Sequence, residues 1–149
     1  MENNTQARIA AERSRLNSAI ATASTNVRNI QSKLDEQIEI IKKYSNMIEK
    51  MSGAKGPIDD SAKYLSNAKD DYNEGYESQY NTEQKQRLLE VGGSMNSYSS
   101  FLQGCIDAAN EKLQEHQRLA RGYESDLTTA KNNLSNLQSQ LYALNHGAY

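Results

Sequence analysis

The chain has 149 residues, of which 36% are hydrophobic, with one proline, eight glycines, one cysteine, nine tyrosines and no tryptophan. One proline and so few apolar residues argue against a compact α/β enzyme, which needs apolar strands joined by many turns. A formal net charge of −2 offers no basic face for a phosphate backbone, so nucleic acid is not an expected partner.

Asn, Ser and Gln together account for 42 residues, so the exposed faces are polar and largely uncharged. Residues 1–8 contain no apolar core, and no cleaved signal peptide is expected. No run of about 18 apolar residues occurs, so no membrane span is expected either. The expected location is the cytoplasm, or outside the cell by a route that needs no cleaved signal.

The first element is defined by period. From Ile9 a 4-3 spacing runs through Arg13, Leu16, Ile20, Ala23, Val27, Ile30, Leu34, Gln37, Ile41, Tyr44, Ile48 and Met51. Eleven of these thirteen positions are apolar, counting Ala and Tyr. Apolar residues every 3.5 positions over six heptads are the signature of a coiled-coil helix, predicted here over residues 4–51.

Residues 52–57, Ser-Gly-Ala-Lys-Gly-Pro, hold two glycines and the only proline. This is the strongest local break signal in the chain. A short helix is predicted over 59–74, capped by Asp59 or Asp60, with a stripe of Ile58, Ala62, Leu65, Ala68 and Tyr72. Gly75 is its expected terminator.

A third helix is predicted over 82–145, capped by Asn81 or Thr82. Its early stripe is Leu88, Val91, Met95 and Tyr98. From Leu102 the 4-3 spacing repeats through Ile106, Ala109, Leu113, His116, Ala120, Tyr123, Leu127, Ala130, Leu134, Leu137, Leu141 and Leu144, with twelve of thirteen positions apolar. The expected fold is therefore all-α. It is an elongated antiparallel helical hairpin or coiled coil of three helices, broken near 52–57, with the reversal at 75–81. The alternative is a three-helix bundle, which needs a second reversal at Gly92-Gly93 or Ser97–Ser100.

Apart from Arg13 near an end, Gln37 and His116 are the polar interruptions inside the two seams. Antiparallel pairing places them in the same or adjacent layers, where a polar contact fixes register at some cost in stability. His116 and His146 are separated by about 45 Å on one helix, too far to share a metal. No phosphate loop, EF-hand spacing or nucleophile–base pair occurs. No catalytic, cofactor or metal site is expected.

Binding surfaces remain. Residues 132–149 contain no Asp, Glu, Lys or Arg and carry Leu134, Leu137, Leu141, Tyr142 and Leu144. Such a strip either docks a partner helix or is consumed by Ile9, Leu16 and Ile20 inside the hairpin. Tyr72, Tyr76 and Tyr80 cluster at the predicted reversal, where amphipathic rings suit a contact surface or close the hairpin end.

The segment Tyr72-Asn73-Glu74-Gly75-Tyr76, followed by Tyr80 and flanked by two amphipathic helices, resembles the hairpin turn of WXG-type proteins of ESX (type VII) secretion. Tyr72 stands where that family has Trp, and Gly75 follows one residue later than in the family's turn. The long arms resemble the small helical companions of LXG toxins. From Tyr98-Ser99-Ser100-Phe101-Leu102 onward the chain also resembles the helical hairpins of flagellar-type export chaperones. The first resemblance implies a non-enzymatic adaptor or targeting companion for a helical partner such as an LXG toxin or a WXG-type protein. Tyr72, Gly75, Tyr76 and Tyr80 would then lie at the turn. The alternative from the periodicity alone is a structural coiled-coil protein that self-associates.

Overall fold

The computed structural model describes residues 2–71 and 79–147. It contains two long helices, α1 (Glu2–Asp71) and α2 (Gln79–Asn145), packed antiparallel. No strand occurs among the described residues. The protein is all-α, as its periodicity predicts, but the described residues form two helices instead of three.

The expected break at 52–57 does not occur, because α1 continues through Pro57. The local chemistry explains why this is tolerated. A proline ring clashes with the Cβ of the preceding residue and crowds the carbonyl four residues back. Those two positions are Gly56 and Gly53. Glycine at 56 has no Cβ to meet the ring, so the α conformation survives there. The remaining costs are one missing backbone donor and the ring's crowding of the Gly53 carbonyl, which glycine does not relieve.

The seam also passes through this segment in phase. After Met51 the 4-3 spacing continues through Lys55, Ile58, Ala62 and Leu65, all buried or half-buried. Lys55 occupies a core-facing position, which hides the continuity from any count of apolar residues. Packing along an unbroken seam therefore outweighs poor local helix propensity.

Asp59 and Asp60 lie mid-helix and cap nothing. Gln79 is already helical, so Asn81 and Thr82 do not begin α2. There is no reversal at Gly92-Gly93 or Ser97–Ser100, which excludes the three-helix bundle. Tyr72, Gly75 and Tyr76, the expected turn residues, lie outside the described residues.

Two compact units divide the pairing. The first comprises residues 1–40 with 116–149, and the second residues 41–115. In the first unit Leu16 is fully enclosed. Ala23, Leu34, Ala120, Leu127, Ala130 and Leu144 are also buried there, a mixture of large and small side chains that lets the two helices interlock. In the second unit Ala62, Ser99, Leu102, Ile106 and Ala109 are buried, while Ile41, Tyr44, Ile48 and Met51 are half-buried.

The early stripe of α2 is rotated from expectation. Val91 and Tyr98 are about half exposed, at 48% and 53%. Gly92 and Ser99 take the positions facing α1, and a Cβ on Gly92 would lie 3.9 Å from the Leu65 Cβ. At its far end, α2 stops in a glycine cap. The His146 N–H donates to the carbonyls of Tyr142 (3.1 Å) and Ala143 (3.3 Å), and Gly147 follows with φ 72°. That left-handed conformation suits glycine.

Candidate interaction surface

Among the described residues, each unit holds a polar contact across the helix pair. In the first, Gln37 Oε1 lies 2.7 Å from His116 Nδ1, and both residues are half-buried. An amide oxygen only accepts, so with this amide orientation Nδ1 carries the proton. The two polar interruptions expected to share a layer are therefore bonded to each other.

In the second unit, Lys55 Nζ donates to Asp59 Oδ2 at 2.6 Å. The buried Ser99 hydroxyl donates to the other carboxylate oxygen, Oδ1. The bond from Lys55, then the bond from Ser99, holds the Asp59 carboxyl below its ordinary pKa. This second polar layer was missed by the sequence reading. Following the seam in phase past Met51 to Lys55 would have exposed it.

Two exposed ion pairs are local. Arg15 makes a two-point contact with Glu12, at 2.6 and 2.9 Å, and depresses its pKa through that bond. Glu115 accepts from Lys112 at 2.8 Å and raises the lysine pKa. Such exposed pairs contribute little stability.

The uncharged strip of α2 divides between two fates. Leu144 is buried, and Leu137 and Leu141 are half-buried along the face that meets α1. Leu137 lines a groove of about 910 Å³ with Ala19, Ala23 and Asn133. Leu144 lies beside Ile9 in a second groove. Tyr142 points outward at 65% exposure and stacks on His146, ring centroids 4.0 Å apart. Leu134 is half-buried as well, so of the five strip residues Tyr142 is the one displayed to solvent. Tyr80 lies in the first turn of α2, one residue after Gln79.

Other large apolar side chains also remain exposed, among them Met47, Tyr64, Val91, Tyr98, Phe101 and Leu119. Phe101 is 63% exposed and Tyr64 73%. Among the described residues no group of three or more His, Cys, Asp or Glu converges on a metal position. None of their helices is long and apolar enough to cross a membrane. No family model, curated protein or solved structure matches this chain.

Proposed function

We propose that this protein is a non-enzymatic helical adaptor, a targeting companion that engages a helical partner by side-by-side helix packing. The observation that carries this reading is incomplete burial. Among the described residues Leu16 alone is fully enclosed, while large aromatic and aliphatic side chains stay in water on both helices. A third helix laid on such a face removes that apolar area from solvent at about 25 cal/mol per Å².

The resemblance of the turn region to WXG-type proteins, and of the arms to LXG-toxin companions, supports a type VII secretion context. In that reading Tyr72, Gly75, Tyr76 and Tyr80 contribute the turn surface. Tyr142 contributes an outer contact on the uncharged strip, whose Leu137, Leu141 and Leu144 hold the hairpin together beneath it.

The test is to mix the full chain with the helical domain of an LXG or WXG-type protein encoded beside it. Light scattering should give a complex of fixed stoichiometry. The melting temperature should rise with partner concentration, because a ligand of the folded state at a hundredfold excess over Kd adds about 2.7 kcal/mol. An absence of any such gene nearby, or no complex and no thermal shift with its product, would overturn the secretion reading.

A further inference from the structure

Helix α1 runs for 70 residues, yet one stretch of it is held by almost no apolar packing. Of residues 52–57, Lys55 is half-buried and the other five are exposed. A Cβ placed on Gly53 or Gly56 meets nothing within 4 Å. Between Met51 and Ile58 the one core-facing position of the seam is therefore a lysine. Backbone bonding is short here as well. Pro57 donates no N–H, so the Gly53 carbonyl lacks its helical partner, and it lies where water reaches it. Glycine and proline are the residues least suited to a helix interior, and three of them fall within five positions. Gly92-Gly93 in α2 differs. No proline accompanies it, and a Cβ on Gly92 would meet the Leu65 Cβ at 3.9 Å.

What closes this turn is polar. The Lys55 ammonium bonds to Asp59 Oδ2 at 2.6 Å, from one side of Pro57 to the other. The same carboxylate accepts the buried Ser99 hydroxyl of α2 on Oδ1. One side chain thus bridges the weak turn along α1 and ties it to α2. We propose that residues 52–59 are a latched hinge of α1. The turn opens as a local unit while residues 41–51 and 62–65 stay packed on α2, and the Asp59 carboxylate is the latch that holds it shut.

Local opening occurs where few buried apolar contacts hold the backbone and many of its hydrogen bonds face solvent. Opening here surrenders the Lys55–Asp59 and Asp59–Ser99 bonds and the half-buried Ile58. It releases two glycines, which gain more backbone freedom on unwinding than any other residue. It leaves Ala62, Leu102 and Ile106 buried in the seam. It also leaves α2 helical, so α2 contributes to the cost through the lost Ser99 bond and little else. A long helix thereby has one place where it unwinds or bends without losing its register. The hinge rests on α1 and Ser99 and is independent of the adaptor reading.

Hydrogen exchange of the full chain, read amide by amide by NMR and corrected for intrinsic rates, tests this. In the parent, the amides of residues 53–56 and 58–61 should exchange about tenfold faster or more than those of residues 42–48 and 102–109. Ser99→Ala should speed exchange in that segment by about three- to tenfold. Its melting temperature should change less, because the better helix propensity of alanine counts only when α2 itself unfolds. Asp59→Asn should also speed exchange there, and Pro57→Ala should slow it by up to about a hundredfold. Leu34→Val, in the first unit, should lower the melting temperature and leave exchange at 53–61 unchanged. Equal protection of the segment and its flanks in the parent would overturn the proposal. So would exchange at 53–61 that ignores Ser99→Ala and Asp59→Asn, or that follows Leu34→Val.

Discussion

Gln37 and His116 lie 79 positions apart in sequence and meet at 2.7 Å across the helix pair. Each interrupts the apolar run of its seam, and the two are bonded to each other. A half-buried polar pair of this kind costs desolvation, so its contribution is to register more than to stability.

Replacing both with Leu should raise the melting temperature, because two apolar groups of similar size replace a polar pair without stranding either member. The same variant should lose its single register and show mixed oligomers by light scattering. Each single change should be destabilising, by about 1–3 kcal/mol, since the remaining group loses its partner. A double variant less stable than either single one would show that the pair stabilises the fold.

The Lys55–Asp59–Ser99 layer makes a pH prediction. Asp59 is held below its ordinary pKa by the bond from Lys55 and then by the bond from Ser99. A carboxyl depressed in the folded state contributes its full stability above the unfolded value of about 3.9. That contribution is lost as pH falls through the folded value. Asp59→Asn should therefore melt lower than the parent at neutral pH, and the gap should narrow on acidification below pH 4. Thermal melts of both chains across that range check it. A gap independent of pH would contradict the bond pattern.

Pro57 should be a stability liability held in check by Gly56. Pro57→Ala should stabilise α1 by up to about 3 kcal/mol. Gly56→Ala should destabilise the parent, because a Cβ before proline disfavours the α conformation. In the Pro57→Ala background the same change should stabilise, by about 1 kcal/mol. No tertiary atom lies within 4 Å of a Cβ placed at 56, so the sign reversal reports the local clash alone. Denaturant midpoints of the four chains complete the cycle, and equal signs in both backgrounds would contradict it.

Gly92 separates helix propensity from close packing. A Cβ there meets the Leu65 Cβ at 3.9 Å, an ordinary contact. Gly92→Ala should stabilise by about 0.5–1 kcal/mol, whereas Gly92→Leu should destabilise by forcing the helices apart. Gly104→Ala, in open space, provides the propensity gain alone. Urea midpoints rank the three, and a stabilising Gly92→Leu would show that the helices do not approach there.

These cases show what period can and cannot convey. Leu16 to Met51 and Leu102 to Leu144 read clearly because one face of each helix is apolar and the other is not. The same period pairs Gln37 with His116. At 52–57, by contrast, glycine and proline propensities point to a break, while the property that decides is a seam passing through a lysine. In 91–101 apolar residues occupy two faces, so periodicity alone does not choose between them. Gly92 and Ser99 carry the packing because they are small, and small residues leave no hydrophobic signal. The outer surfaces are still harder to read, since Tyr98, Phe101 and Tyr142 differ from core residues only in which way the helix turns them.

The central structural claim is an antiparallel pair of long helices held in one register. It is tested most directly by NMR of the folded chain with labelled glutamine and histidine. The structure predicts a protonated His116 Nδ1 and nuclear Overhauser contacts from the Gln37 side chain to the His116 ring. Contacts from Gln37 to Ala109 or Tyr123, one heptad away in either direction, would contradict it.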